Sequence, residues 1–202
     1  MQSVKHLLTE FIPSAYKLSL IINKSNKSFA GTVTISGKSV RGNISLHSNG
    51  LNITTVLVDN KPADFKHQAD DELVVLQPGL TKGEHTVVIG YTASITNQTH
   101  GLYASHYKQG GAAKTMLVTQ LESHHAREVL PCIDEPAAKA TFDVNITCAA
   151  GLTALSNMPV KNRTLVNKDV QTVDFETSPR ICNSLFTGSS VYTSLSPTTT
   201  RL

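Results

Sequence analysis

The chain has 202 residues, 40% hydrophobic and 16% charged, with no tryptophan and a formal net charge of +3; it is too apolar for a disordered polymer and long enough to bury the core of one generous domain or two small ones. Its Lys and Arg residues form no run that would track a phosphate backbone, which excludes nucleic acid as a partner class. The longest apolar run, 18–22, falls far short of the roughly 20 residues of a membrane span, and the opening MQSVKHLLTEFIPS lacks a signal peptide's continuous apolar segment, so no membrane association and a cytoplasmic location are expected.

In chain order, residues 15–22 (AYKLSLII), 29–35 (FAGTVTI), 42–47 (GNISLH), 51–58 (LNITTVLV), 72–76 (ELVVL) and 85–91 (HTVVIGY) are short, rich in β-branched residues and mostly of period two. These are strand signals. Between them lie NKSNKS, HSNG, DNKPAD, QPG and TKG, which are turn chemistry. Beyond residue 136 the pattern resumes with KATFDVNITC, GLTALSN, DVQTVDFET and SLFTGSSVYTSL. A strand about every ten residues, with no helical period between, predicts an all-β antiparallel sandwich rather than βαβ units. One domain over 1–192 is expected, followed by a polar tail at 193–202 that is disordered or a linker.

Cys132, Cys148 and Cys182 are too few and too irregularly spaced for a disulfide framework or a CxxC knuckle, so buried free thiols are expected. Seven Asn-x-Ser/Thr triplets begin at Asn23, Asn26, Asn43, Asn52, Asn97, Asn145 and Asn162. They leave a secreted or ectodomain setting open, although serine and threonine are frequent enough for chance to supply many of them.

The passage TQLESHHAREVLPCIDEP, 119–136, departs from strand patterning. His124 and His125 with Cys132 or Glu122 would make a zinc donor set, but adjacent histidines on a regular element diverge and no HExxH spacing is present, so no metal site is expected in this chain. No Gly-x-Ser-x-Gly elbow accompanies Ser123. Asp134, Glu135 and Pro136 ahead of AAKATF read as the first turn of a short helix near 133–140, with acid at its positive end and proline where its missing N–H costs nothing. Glu122 ends the strand-like run MLVTQLE, where a carboxylate at a sheet rim is open to a ligand. From this passage alone the better reading is structural, a solvated strand-end acid or a partner of Arg127.

The order IPSAYKLSL, FAGTVTI, ISLHSNGLNI, GLYASHY, KTM, TQLESHHAREVLPCIDEPAAKATF and ALSNMPV, spread over about residues 10–180, resembles the N-terminal domain of the aminopeptidase N family of zinc metallopeptidases. That resemblance implies a β domain joined to a thermolysin-like catalytic domain, which carries a Gly-x-Met-Glu-Asn strand and an HExxH zinc helix. Neither motif occurs in these residues. Zinc, general base and transition-state stabilisers then lie outside this chain, which has no cofactor of its own and is not expected to hydrolyse peptides alone. Thr119, Gln120, Leu121 and Glu122 match the family's Thr-Gln-x-Glu, implying that Glu122 binds the α-ammonium of peptides with a free N-terminus and that Gln120 lines the first side-chain pocket. Matches at Arg127, Pro131, Cys132, Asp134, Glu135 and Pro136 imply a turn and short helix that hold Glu122 in place. After TSPR the chain departs from the family's Met-Ser-Thr-Tyr, continuing as ICNSLFTGSSVYTSLSPTTTRL. The alternative to a substrate-clamp domain is a stand-alone β-sandwich interaction module without catalysis.

Overall fold

The computed structural model describes residues 6–68 and 72–185. Thirteen strands are present among them: β1 (Phe11–Asn23), β2 (Ser28–Ser39), β3 (Ile44–His47), β4 (Asn52–Val58), β5 (Lys61–Pro62), β6 (Asp64–Gln68), β7 (Glu72–Leu76), β8 (Gly83–Ser94), β9 (Gly101–Gln109), β10 (Ala112–Gln120), β11 (Thr141–Ala149), β12 (Val160–Asn167) and β13 (Val170–Phe175). An eight-stranded sheet runs β12-β13-β11-β1-β2-β8-β4-β5, a three-stranded sheet runs β3-β7-β6, and β9 pairs with β10. The all-β sandwich expected from the sequence is the architecture found.

Period-two patterning explains the layers. In β1 the buried side chains Tyr16, Leu18, Leu20 and Ile22 alternate with exposed or half-exposed neighbours, and β2 answers with Phe29, Val33 and Ile35. These join Ile44, Leu46, Leu73 and Val75 of the three-stranded sheet in one continuous core. At about 1.5–3 kcal/mol for each large apolar side chain removed from water, this shared face is the main stabilising feature of the domain.

Three expectations are corrected. The sheets are not wholly antiparallel, since β1 runs parallel to β11 from Ala15 opposite Thr141 to Ile21 opposite Thr147. GLTALSN, 151–157, forms no strand; Ala154 is its buried anchor, and the following exposed segment supplies β12 instead. The helix near 133–140 is also absent. Residues 135–138 make a single turn closed by the Ala138 N–H on the Glu135 carbonyl at 2.9 Å, because Ala140 is drawn at once into a backbone pair with Ile181. The strand expected over 184–195 and the tail at 193–202 fall, beyond residue 185, outside the described residues. All three cysteines are free and buried, as expected.

Gly31 faces Tyr91 across the β2–β8 pair, and a Cβ there would collide with the Tyr91 ring. Tyr91 is fully buried and its hydroxyl donates to the Val129 carbonyl at 2.8 Å. Gly31→Ala must therefore displace an aromatic anchor. The expected cost is about 2 kcal/mol, within the range for overpacking a dense core. A urea midpoint equal to that of the unsubstituted chain would show that Tyr91 yields freely.

Candidate functional site

β10 ends at Gln120, opposite Gly101 at the start of β9. The alternation of the strand continues past its last pair: Thr119 and Leu121 are buried, whereas Gln120 and Glu122 are exposed. The strand ends at Gln120 and Glu122 opens the turn that follows, yet both side chains leave the strand end away from the core. Both line an open pocket of about 520 Å³, together with Asn157, Met158, Pro179 and Ile181. Ser178, Ser184 and Leu185 complete its lining. Among these described residues Glu122 alone carries an ionisable side chain.

The far wall was not read from the sequence. Asn157 and Met158 sit in ALSNMPV, and Ser178 and Pro179 in TSPR, short irregular runs whose only signal is a proline breaking a strand pattern. Their positions are nevertheless fixed. The Asn157 side chain donates to the Leu185 carbonyl at 3.1 Å, and the Ser178 hydroxyl accepts from the Phe142 N–H at 2.9 Å. Ile181 is locked to Ala140 by a reciprocal pair of 3.0 Å backbone bonds.

Behind Glu122 lies a densely bonded segment. Its peptide bond to Ser123 is cis, and a single 3-10 turn follows at Ala126–Glu128. Arg127 donates through Nε and through its backbone N–H to Asp134 Oδ2, at 3.1 and 3.3 Å. Cys132 and His47 exchange backbone hydrogen bonds at 2.7 and 3.0 Å, while the Ile133 N–H donates to the Tyr16 hydroxyl at 3.1 Å. Glu135 accepts from the Leu8 N–H at 3.1 Å and contacts His6 Nδ1 at 3.2 Å. Thus the acids that resembled helix-start residues instead serve a side chain seven residues upstream and the chain's N-terminal segment. Pro131 is buried, and Pro136 is exposed in the turn that replaces the expected helix. Burial pushes the Cys132 thiol well above its ordinary range, so it stays protonated.

His47 is buried, and its Nδ1 accepts the Asp134 N–H at 3.0 Å, which requires that nitrogen to be unprotonated. Burial, reinforced by the Arg127 charge and opposed by Asp134 and Glu135, lowers its pKa. Between that lowered value and the ordinary value of about 6.5, the unfolded chain binds a proton that the folded chain does not. Stability therefore falls as pH drops through about 6.5. We expect the urea midpoint to decline from pH 7.5 to pH 5, and His47→Gln to flatten that slope; equal slopes in the two proteins would remove His47 as its source.

Residues 12–185 match the family profile described as the Peptidase M1 N-terminal domain. An aminopeptidase N of Lactococcus lactis subsp. lactis is 41% identical over 186 residues, covering 91% of this chain and 22% of that protein. An aminopeptidase N of Acetobacter pasteurianus is 32% identical over 180 residues, 86% of this chain and 51% of that protein. The aminopeptidase M1-D of Oryza sativa subsp. japonica is 38% identical over 120 residues, 58% of this chain and 14% of that protein. The chain thus spans about a fifth of the length of the Lactococcus relatives it matches. No helix of the described residues is long and apolar enough to cross a membrane.

Proposed function

This chain belongs to the peptidase M1 N-terminal domain family, and on that premise we propose that it is the substrate-clamp domain of a zinc aminopeptidase, with Glu122 binding the free α-ammonium of a peptide and Gln120 lining the first side-chain pocket. The observation that carries this reading is the placement of Gln120 and Glu122 at a strand end, in a shared pocket where Glu122 is the ionisable lining group among the described residues. An ammonium offers three donors and no acceptor, so a carboxylate acceptor selects it. A charge-assisted bond of this kind contributes about 1.5–3 kcal/mol. An internal peptide bond brings a neutral N–H in place of that cation, and the clamp loses its counter-charge. Apolar Met158, Pro179 and Ile181 beside the carboxylate fit the side chain that follows the ammonium.

The donor set for the family's catalytic zinc is not found here, since no HExxH spacing occurs in the sequence. The role of this chain is accordingly to bind and orient the peptide's N-terminus, beside a catalytic domain of the same enzyme. Arg127, Asp134, Cys132, Pro131, Glu135 and Pro136 support the segment that carries Glu122. The test compares kcat/KM for a peptide with a free and with an N-acetylated terminus, in an aminopeptidase containing this domain, with Glu122 intact and replaced by Gln. The reading requires the preference for a free terminus to shrink in the variant; an unchanged preference overturns it.

A further inference from the structure

Two imidazoles and one carboxylate meet at the same segment, among residues that do not line the pocket. His125 precedes the 3-10 turn Ala126–Glu128 and lies three residues before Glu128. In 3-10 geometry side chains at i and i+3 eclipse, so these two project together. His100 reaches them from the residue before β9, where Gly101 takes φ +62°. A Cβ on Gly101 would come within 2.7 Å of Glu128 Oε2, so the missing side chain is what admits the carboxylate. The result is a convergent set. His100 Nδ1 lies 2.7 Å from Glu128 Oε2, His125 Nδ1 lies 2.9 Å from Glu128 Oε1, and the two imidazoles stack at 4.3 Å with 25° between their planes. The donor atoms all fall within 4.8 Å of one another.

We propose that His100, His125 and Glu128 form a binding site for one divalent cation of the zinc class. Two imidazole nitrogens and one carboxylate oxygen are a donor set suited to zinc, cobalt and nickel rather than to calcium or magnesium, which take oxygen ligands. Tetrahedral zinc, with bonds of about 2.1 Å, holds its ligand atoms about 3.4 Å apart, so from 2.7 and 2.9 Å the two nitrogen–carboxylate contacts need to open by about 0.7 and 0.5 Å to admit the ion. Each histidine would ligate through Nδ1 and carry its proton on Nε2. The three side chains are 20–34% exposed, which gives an entry path and leaves the fourth position to water. The pairing of His124 with His125 weighed from the sequence is not the one the fold makes: His124 is exposed and lies outside the cluster, and His100 replaces it.

The experiment titrates the purified, chelator-stripped chain with Co2+, followed by visible d–d absorption, and then displaces the cobalt with Zn2+. Binding of one equivalent is expected. His100→Ala, His125→Ala and Glu128→Gln should each weaken it by about 100-fold or more, since loss of even an outer-shell partner of a metal costs 10–100-fold. His124→Ala should bind as the unsubstituted chain does. To separate ligand loss from poor folding of a variant, ring 15N spectra of the unsubstituted chain are recorded with Zn2+, and the resonances of His100 and His125 should move together at one equivalent. No binding, binding that survives His100→Ala in a folded protein, or zinc that moves other histidine rings would overturn the proposal and leave the three residues as a hydrogen-bonded cluster.

Discussion

Glu122→Gln, made in an aminopeptidase that contains this domain, is expected to lower kcat/KM for peptides with a free N-terminus by about 30-fold. The substitution keeps the size of the side chain and most of its hydrogen-bonding capacity, and removes only the charge that would meet the α-ammonium. Losing one member of a charge pair buried by substrate costs about 2–5 kcal/mol. Glu122 is exposed in this domain and shares its pocket with polar Asn157 and Gln120. That setting argues for the lower end, near 2 kcal/mol, and a tenfold change per 1.4 kcal/mol converts it to the stated loss. If the clamp acts equally on bound substrate and transition state, KM rises and kcat holds; if it also aligns the scissile carbonyl, kcat falls too. Stability should not move, because an exposed strand-end acid contributes little packing. Wild-type kcat/KM in the variant, or a variant that unfolds, would return Glu122 to a structural role.

Legibility in the sequence followed the physical range of each interaction. The clean strands were those whose own alternation records a buried face: β1 and β2 were found where they lie, only longer, because Tyr16, Leu18 and Val33 alternate with polar residues. β12 was missed because all eight of its residues are exposed at the sheet edge, so burial imposes no period on it. The β9–β10 hairpin was only half seen, as the strand-like run ending at Glu122. Its turn, Gly110-Gly111 with φ of 58° and 82°, is a strong local signal, but the strands beside it are mixed polar and apolar. The parallel pairing of β1 with β11 joins residues more than a hundred apart, and no local pattern encodes it.

The candidate sites divide the same way. Glu122 and Gln120 could be named from a contiguous motif, whereas Asn157, Pro179 and Ile181 reach the pocket only through folding. His100 and His125 are separated by the whole β9–β10 hairpin, so their meeting is a property of the pairing of Gly101 with Gln120 and not of either segment. The mistaken helix near 133–140 has a related cause. Asp134 and Glu135 have the chemistry of a helix start, but a carboxylate binds whichever donors the fold brings closest, and here these are Arg127 and the Leu8 N–H.

Asp134→Ala is expected to lower the stability of the chain by about 3 kcal/mol. The Asp134 side chain is 2% exposed and accepts two hydrogen bonds from Arg127, whose side chain is 15% exposed. Removing one member of a buried ion pair costs about 3–5 kcal/mol, chiefly because the remaining charge loses a close counter-charge in a poorly solvated place. Arg127 keeps some contact with water, which favours the lower figure. For a chain of this size each kcal/mol corresponds to about 2–4 °C, so the Tm should fall by roughly 6–12 °C. The damage should also spread, because the Arg127 carbonyl accepts the Asn49 N–H at 2.9 Å and Asp134 donates its own N–H to His47. Asp134→Asn, which keeps an acceptor for Arg127 but not the charge, should lie between the two proteins. A double variant, Arg127→Met with Asp134→Leu, should recover part of the loss, since apolar replacement of both partners removes the cost of keeping either charge in a poorly solvated place. If Asp134→Ala melts within a degree of the unsubstituted chain, the Arg127–Asp134 pair is not what holds the segment behind Glu122, and the backbone bonds of Cys132 to His47 and the bond from the Ile133 N–H to the Tyr16 hydroxyl carry that task instead.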